Sequence, residues 1–477
     1  MASGPIAFED YARHDGLALS AGVRKGDFSA LELVETAIAR LEAVNPKLNA
    51  VAVPIFEAAR QRAAGPISGP FGGVPFLMKD LNQGMKGVRL TNGSRAFADN
   101  ICSEDSESAR RFSAAGLITI ASTTSPEFGL TVTTESRLFG KTRNPWNLDR
   151  IAGGSSGGSA ALCAAGVVPL AHATDGGGSI RVPASCCGLF GLKVSRGRTP
   201  VGMGRTEGWN GLGVSHAVTR SVRDSAALLD ATHGPEAGSR TVAPPPKGTF
   251  LGALERPAKR LRIALQRNAF TGAEPHPDVL AAVEAAAKLC ADLGHEIVED
   301  LPLFDAQAVR RALMILISAH TAATVDQRAQ ALGRPIRDDE IEPVTAAIVE
   351  NGRQLKATDM VAADLICMQA AEAIGRFLET HDAILSATNA DPPPLLGTLS
   401  LDIDPRQNGL AVGRFSPYTA LYNQTGHPAM SVPLGWSQDG LPIGVMFAGR
   451  LGDEETLLAL AGQLEIAKPW FDRLPPL

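Results

Sequence analysis

GGSSGGS (residues 153–159) and TDGGGSIRVP (residues 174–183) stand out from the rest of this chain by their glycine and serine content. They place Ser155 and Ser179 24 residues apart, on either side of an alanine-rich segment that we expect to be helical. Glycine adds no side-chain bulk, so backbone in both stretches can approach other backbone, or a ligand, closely. The composition therefore predicts a densely packed region with a serine in each of two turns.

The second stretch has the composition of a nucleophile turn. Gly176, Gly177 and Gly178 precede Ser179. Successive backbone N–H groups in such a run converge on one point as an oxyanion hole. Ser179 would attack a carbonyl carbon, and the N–H groups of all four residues would stabilise the negative charge that develops. Taken alone, the same run is more often a flexible turn.

The first stretch is open to more than one interpretation. It lacks the Gly-Lys-Ser/Thr ending of a phosphate loop. It matches G-x-S-x-G around Ser155 and again around Ser156, which is the nucleophile-elbow pattern of α/β-hydrolases. That alternative gives an esterase-like hydrolase that uses Ser155 or Ser156 with a downstream Asp and His. A flexible linker is the third interpretation.

A serine nucleophile needs a base, and lysine is the better candidate here. None of the nine histidines has a catalytic context, since His172 lies in an apolar run and His427 in a Gly-His-Pro turn. A lysine serves as a base when burial lowers its pKa toward neutrality. Lys79 follows the apolar residues 74–78 and precedes Asp80. From this local sequence alone, a solvated surface lysine remains equally open.

The set of motifs decides between these interpretations, because together they resemble the amidase signature family. The resemblance extends from about residue 29 to about residue 468 and includes the order of the lysine and the two serines. It is carried by the two stretches quoted above and by GGVPFLMKD (72–80), CGLFGLK (187–193), GRTP (197–200), NQTGHPAMSVP (423–433) and GLPIGV (440–445).

The resemblance implies roles for three residues. Lys79 corresponds to the family's base, Ser155 to a serine that follows a cis peptide bond, and Ser179 to the nucleophile. It implies an amidase that forms an acyl-enzyme, with the proton of Ser179 passing through Ser155 to Lys79. The N–H groups of the turn would hold the oxyanion, and no metal or other cofactor is expected.

Supporting residues and departures from the family pattern are also visible. Ser156 lies beside the relay, and Asp175 and Arg181 flank the nucleophile turn, where they could pair to brace it. Gly176 stands where the family usually has a larger residue, so extra backbone freedom could loosen the oxyanion hole. Ser-Ala-Thr at residues 386–388 replaces a common Pro-Thr pair, so we expect a reshaped wall of the substrate pocket.

Outward from these motifs, short strands alternate with helices, as is typical of an α/β sheet protein. Ser29 and Glu32 form a capping box that predicts a helix start, and Asn45-Pro46 predicts its end. Gly294 is the expected stop of a later helix. Further strands are predicted at residues 76–78, 117–121, 261–266, 295–298 and 384–386, and further helices at residues 277–293, 306–330, 357–378 and 454–468.

The resemblance implies a single α/β domain, residues 1–477, with a mixed central sheet covered by helices. Within it we expect an N-terminal helical segment at about 1–65 and a core at 66–230. A variable substrate-pocket region at about 231–415 would precede a C-terminal return to the core at 416–477.

Composition excludes several other classes of protein. The net charge is −5 with both signs interspersed, and aromatic residues make up 5%, so no nucleic-acid partner is expected. Residues 1–15 lack the features of a signal peptide, and no apolar run spans a bilayer. We expect a cytoplasmic protein with no membrane partner and reduced, buried thiols. The six cysteines are Cys102, Cys163, Cys186, Cys187, Cys290 and Cys367.

The expected substrate is a small aryl, linear or cyclic amide, and esters and carbamates are further candidates. A homodimer is one of the oligomeric states that the sequence allows. Residues 134–148 and 333–335 resemble bacterial amidases that include 6-aminohexanoate cyclic-dimer hydrolases. The A subunit of tRNA-dependent amidotransferases shares the core motifs and stays an alternative. Residues 201–216, 310–325 and 389–413 are least typical of the family and are expected to set substrate choice.

Overall fold

Helices and strands alternate along the chain in the computed structural model, which describes residues 5–203, 206–256 and 259–477. The α-helices are α1 (Phe8–Ala12), α2 (Gly16–Lys25), α3 (Ala30–Leu48), α4 (Phe56–Ala63), α5 (Glu107–Ala114), α6 (Gly157–Ala164), α7 (Arg181–Cys187), α8 (Val222–Thr232), α9 (Pro277–Asp292), α10 (Ala306–Leu332), α11 (Pro343–Gln354), α12 (Ala357–Thr380), α13 (Pro405–Phe415), α14 (Leu421–Thr425) and α15 (Glu454–Ala467). Short 3-10 helices lie at Arg95–Phe97, Glu127–Gly129 and Leu251–Glu255.

The strands are β1 (Val51–Pro54), β2 (Pro75–Lys79), β3 (Ile118–Thr123), β4 (Glu135–Ser136), β5 (Gly140–Lys141), β6 (Arg143–Asn144), β7 (Asn147–Ile151), β8 (Leu170–Asp175), β9 (Phe190–Lys193), β10 (Val214–Thr219), β11 (Arg262–Leu265), β12 (Glu296–Val298), β13 (Ala383–Ala387), β14 (Ala429–Trp436) and β15 (Pro442–Gly449). An eight-stranded sheet has the order β12-β11-β13-β15-β14-β9-β10-β8, and a three-stranded sheet has the order β1-β3-β2. The large sheet is mixed, because β12, β11 and β13 pair in parallel and its other neighbours pair antiparallel. The α/β class predicted from the sequence is confirmed.

The β14–β15 hairpin lies inside the large sheet, and the sequence analysis assigned no strands there. Both strands are almost entirely buried, so their side chains show none of the apolar–polar alternation that marks a half-exposed strand. The turn signal Asp439-Gly440 between the two apolar runs was the available clue.

Helix α3 begins as predicted and ends later than predicted. The Ser29 hydroxyl accepts from the Glu32 N–H, and the Glu32 carboxylate accepts from the Ser29 N–H, which completes the capping box. The helix continues through Pro46, because a proline in the last turn removes only one bond of the ladder. Asn49 closes that turn in the left-handed conformation, with φ 51°.

The segment between the two glycine–serine stretches is helical only in part. α6 ends at Ala164, and the following apolar residues form β8, which pairs with β10 instead of continuing the helix. Gly166, at φ 78°, ends the helix, because few other residues adopt that conformation without strain. This brings Asp175 to the end of a strand, directly before the nucleophile turn.

The apolar core has two large clusters. One surrounds β2, β3, α3 and α6, and the other surrounds β11, β13 and the β14–β15 hairpin. All six cysteines are free and buried. None of the helices in the described ranges is both long enough and apolar enough to cross a membrane.

Candidate active site

Three elements deliver the predicted residues to one place. Lys79 is the last residue of β2, and Ser179 follows β8 and precedes α7. Ser155 lies between β7 and α6, and the Gly154–Ser155 peptide bond is cis. A methyl group on Gly154 would lie 2.3 Å from the Thr133 carbonyl oxygen, so this close approach requires glycine. The two glycine–serine stretches therefore do pack tightly, as their composition predicts.

The Lys79 side chain ends among three hydroxyl groups. Its Nζ lies 2.7 Å from Ser155 Oγ, 2.9 Å from Ser156 Oγ and 2.9 Å from Thr174 Oγ1. The side chain is fully buried, and no carboxylate of the described residues lies within ion-pair distance of it. Burial lowers the pKa of Lys79 well below its usual value, and the charge of Asp175 opposes this only in part.

The hydroxyl groups constrain which hydrogen bonds a neutral Lys79 makes. Ser156 Oγ donates its proton to the Ser179 carbonyl oxygen at 2.6 Å, so Ser156 must accept from Lys79. A neutral amine has two N–H donors and one lone pair. If the two donors serve Ser156 and Thr174, the lone pair faces Ser155 and accepts its proton. The geometry therefore suits a proton transfer from Ser155 to Lys79.

The nucleophile turn leaves three free N–H groups. The Gly178 N–H donates to Asp175 Oδ1 at 2.7 Å, so it is committed to that carboxylate. Within the described chain, the N–H groups of Gly176, Gly177 and Ser179 donate no hydrogen bond. Of the four N–H groups that the sequence suggested for the oxyanion hole, these three are therefore available to an oxyanion.

A buried ion pair braces this turn, as the sequence suggested. Arg181 Nε lies 2.9 Å from Asp175 Oδ2, and both side chains are fully buried. Burial raises the pKa of Asp175, but the Arg181 charge and its hydrogen bonds outweigh burial and lower that pKa overall, so the carboxylate stays ionised. Arg181 also donates to the Thr419 carbonyl at 2.8 Å and to Asn423 Oδ1 at 2.7 Å.

The roles of Thr419 and Asn423 were missed from the sequence. Asn423 Nδ2 donates to Asp175 Oδ1 at 2.9 Å, which ties the nucleophile turn to a segment 248 residues later. Asn423 begins the NQTGHPAMSVP motif, and that position was the only signal that could have found it. Thr174, the third partner of Lys79, was also missed because nothing in its local sequence sets it apart.

Ser155 and Ser179 face the same small cavity, here named the reaction cavity. They are 1% and 7% exposed, and in the described part of the chain no hydrogen bond joins their hydroxyls. The cavity has a volume of about 40 Å³. It is lined by Leu81, Asn82, Phe128, Gly129, Ser155, Thr174, Asp175, Gly176, Ser179, Val201, Gly208, Trp209, Gly213 and Val214.

The elbow alternative, with a histidine base, finds no geometric support. No histidine in the described ranges hydrogen-bonds to Ser155, Ser156 or Ser179. His172 is instead a structural residue, because its Nδ1 accepts from the Lys79 backbone N–H at 3.2 Å. Burial lowers the pKa of His172 to about 3, so the ring stays neutral. Across the described residues, no group of three or more His, Cys, Asp or Glu side chains is arranged to hold a metal ion.

Trp209 explains the glycine at position 176. A methyl group on Gly176 would lie 2.9 Å and 3.0 Å from Trp209 Cε3 and Cζ3, so the indole occupies the space of a side chain. Asn210 Nδ2 donates to Asp364 Oδ1 at 3.0 Å, which anchors the Trp209 loop to α12. Gly176 does not have a positive φ. Gly176 therefore makes room for the indole. This is a different role from the extra backbone freedom that the sequence led us to expect.

We expect Gly176→Ala to lower kcat/KM by about 10- to 100-fold, because the new methyl group displaces Trp209 and disturbs the oxyanion turn. Initial-rate kinetics and tryptophan emission measure the two effects. Trp209→Leu in the same chain should recover part of the activity by making room. Gly177→Ala should leave the emission unshifted, since its methyl group would lie 4.0 Å from its nearest neighbour. Equal emission shifts in both alanine variants would contradict this account.

The segments assigned to substrate choice do border cavities. From the segment 201–216, five residues line the reaction cavity: Val201, Gly208, Trp209, Gly213 and Val214. Residues 310–325 and 389–413 contribute to a larger cavity between α10 and α13. Gly204 and Arg205 of the first segment lie outside the described residues.

The expectation that residues 386–388 reshape the pocket wall is not met. Ser386 and Ala387 lie within β13, fully buried between β11 and β15. Thr388 Oγ1 lies 2.9 Å from Ser431 Oγ, also inside the core. None of the three lines either cavity.

Comparison with known proteins places these features in one family. The family model described as amidase matches residues 32–458. The chain is 37% identical to a 6-aminohexanoate-cyclic-dimer hydrolase from Pseudomonas sp. strain NK87, over 97% of this chain and 96% of that protein. The structure of a 6-aminohexanoate cyclic dimer hydrolase complexed with substrate superimposes with a TM-score of 0.92 at 34% identity, over 98% of this chain and 99% of the other. A bacterial aryl acylamidase of the amidase signature family gives a TM-score of 0.86 at 28% identity, over 96% of each chain.

Proposed function

The chain belongs to the amidase family and is a hydrolase of carbon–nitrogen bonds, and we propose that it cleaves carboxylic amides with a Lys79–Ser155–Ser179 triad. The observation that carries this proposal is the buried Lys79 amine, which lies among three hydroxyls and has no carboxylate partner among the residues that the structure describes. Burial of this kind favours the neutral form of the amine, and only a neutral amine accepts a proton.

In the proposed reaction, Lys79 accepts the proton of Ser155, and Ser155 accepts the proton of Ser179. The Ser179 oxygen then attacks the amide carbonyl, and the Gly176, Gly177 and Ser179 N–H groups stabilise the oxyanion. The relay requires the Ser179 hydroxyl to rotate toward Ser155. The proton returns through Ser155 to the leaving amine, and water then hydrolyses the acyl-enzyme.

The substrate class follows from the relatives and from the lining of the reaction cavity. Proteins similar to this chain are a cyclic-dimer hydrolase and an aryl acylamidase. Leu81, Phe128, Val201, Trp209 and Val214 give the cavity apolar walls. We therefore propose small aryl, linear or cyclic amides as substrates. Esters and carbamates pass through a similar tetrahedral intermediate and would also react.

A substrate panel tests this proposal. Purified protein alone, in buffer with EDTA, is expected to hydrolyse at least one of an aryl acylamide, a linear aliphatic amide and a cyclic diamide. Release of the amine is followed by chromatography and mass spectrometry. Activity that appears only with co-purifying partner proteins would favour the amidotransferase-type alternative. Activity that EDTA abolishes and a divalent ion restores would contradict the cofactor-free reaction.

A further inference from the structure

A second cavity, of about 520 Å³, lies between α10, α11 and α13; we name it the α10–α13 cavity. It is lined mainly by apolar side chains, among them Phe270, Phe304, Leu313, Ile348 and Leu410. A volume of this size is typical of a small-molecule site. The reaction cavity, at about 40 Å³, has room for only a few water-sized groups. The body of a substrate must therefore extend beyond it.

One residue that lines the α10–α13 cavity also lies next to the nucleophile turn. Ala420 lines it, and the Ala420 Cβ would lie 4.0 Å from a methyl group on Gly177. Leu313 also lines it and packs in the same apolar cluster as Trp209, which forms a wall of the reaction cavity. A substrate whose carbonyl lies at the nucleophile turn therefore has this cavity beside it.

Two arginines give the cavity a positive charge. Arg310 on α10 and Arg406 on α13 line it, and its described lining contains no Asp or Glu. Neither guanidinium has a hydrogen bond or ion pair within the part of the chain that the structure describes. Their charge is thus available to a ligand.

The helix opposite Arg310 is shaped to receive its guanidinium. A methyl group on Gly413 would lie 2.6 Å from an Arg310 guanidinium nitrogen, so the glycine leaves the space that this group occupies. Arg406, Gly409 and Gly413 follow one another at helical spacing along α13 and all line the cavity. Two unpaired cations thus border one apolar cavity.

We propose, on the basis of the amidase function above, that the α10–α13 cavity holds the apolar body of the substrate and that Arg310 and Arg406, which line this cavity, bind a carboxylate on the same substrate. A guanidinium matches a carboxylate with two parallel hydrogen bonds, which makes this recognition both strong and selective. The preferred substrates are then amides that carry a carboxylate several bonds away from the scissile bond.

The test uses pairs of amides that differ only in this charge. One pair carries it on the acyl side: the mono-4-nitroanilide of adipic acid and the 4-nitroanilide of 6-methylheptanoic acid, in which an isopropyl group replaces the carboxylate. The second pair carries it on the amine side: N-hexanoyl-6-aminohexanoate and N-hexanoyl-6-methylheptylamine. We expect Arg310→Met to raise KM for the carboxylate member of at least one pair by about 10- to 100-fold, with kcat nearly unchanged. Its neutral partner should change little, because methionine keeps an apolar stem.

Arg414→Met is the matched control, since Arg414 lies on the same helix but pairs with Asp391 at 3.2 Å. It should leave all four KM values unchanged, and Arg406→Met should behave like Arg310→Met. Calorimetric titration of the same compounds into Ser179→Ala gives a readout that does not depend on turnover. The carboxylate subsite is overturned if Arg310→Met raises KM equally for the charged and the neutral member of each pair. It is also overturned if Ser179→Ala binds the charged and the neutral member of each pair with the same affinity. Hydrolysis of none of the four amides would count against the amidase proposal instead.

Discussion

Replacing Ser179 with alanine is expected to lower amide hydrolysis by at least about 10,000-fold, because the variant lacks the oxygen that attacks the carbonyl. Among the described residues, the Ser179 side chain makes no hydrogen bond that braces the turn, which depends instead on Asp175, Arg181 and Asn423. The folded structure should therefore survive the change. Amine release by the purified variant, with circular dichroism to confirm the fold, measures the effect.

Covalent labelling separates this nucleophile from the alternative in the first glycine–serine stretch. A fluorophosphonate should modify wild-type protein at Ser179, as mapped by peptide mass spectrometry, and should not modify Ser179→Ala. Ser156→Ala should still be labelled at Ser179, even though the loss of its contact with Lys79 slows turnover. If Ser156→Ala abolishes labelling and Ser179→Ala does not, the nucleophile-elbow interpretation is correct.

Changing Lys79 is expected to have the second large effect. Lys79→Ala removes the base, and Lys79→Arg replaces it with a group that stays protonated at any working pH. Both variants should lose at least about 1,000-fold in kcat/KM. In wild-type protein the neutral amine is the active form, so activity should be present above the lowered pKa of Lys79 and fall as pH drops through it. The pH profile of kcat/KM measures this.

Lys79→Arg is the more informative variant, because it keeps a long cationic side chain but removes the lone pair of the neutral amine. Circular dichroism should confirm that each variant is folded. Near-wild-type hydrolysis by folded Lys79→Arg would mean that the base lies elsewhere. His427 would then be examined first, since its Nδ1 is buried without a partner in the described chain. Burial lowers the pKa of His427 to about 4.

Local sequence signals predicted the helices whose first residues are set by a capping box or a proline. The capping box at Ser29 and the Pro277 start of α9 were readable, because caps and proline act within one turn. The end of α3 was not, because Asn49 rather than Pro46 determines it. The β14–β15 hairpin was missed because complete burial removes the alternation on which strand prediction depends.

The site was predictable where family motifs preserve residue types and unpredictable where the fold brings distant residues together. Lys79, Ser155 and Ser179 were predicted from motifs. Ser155 and Ser179 line the reaction cavity, and Lys79 Nζ lies 2.7 Å from Ser155 Oγ. The role of Trp209 could not be predicted from the sequence. Its indole packs on Gly176, and only the tertiary structure brings these two segments together. The Gly178 N–H was misassigned because composition does not reveal which donors Asp175 takes.

The bracing of the nucleophile turn also has a consequence for biosynthesis. Arg181 is held by the Thr419 carbonyl and by Asn423, 238 and 242 residues later in the chain. Translation must therefore pass residue 423 before both of these contacts can form. A nascent chain that already contains the lysine and both serines can form the local Asp175–Arg181 pair but lacks these two later contacts. We therefore expect a fragment that ends before residue 419 to lack two of the anchors that hold Arg181, and with it the nucleophile turn, in place.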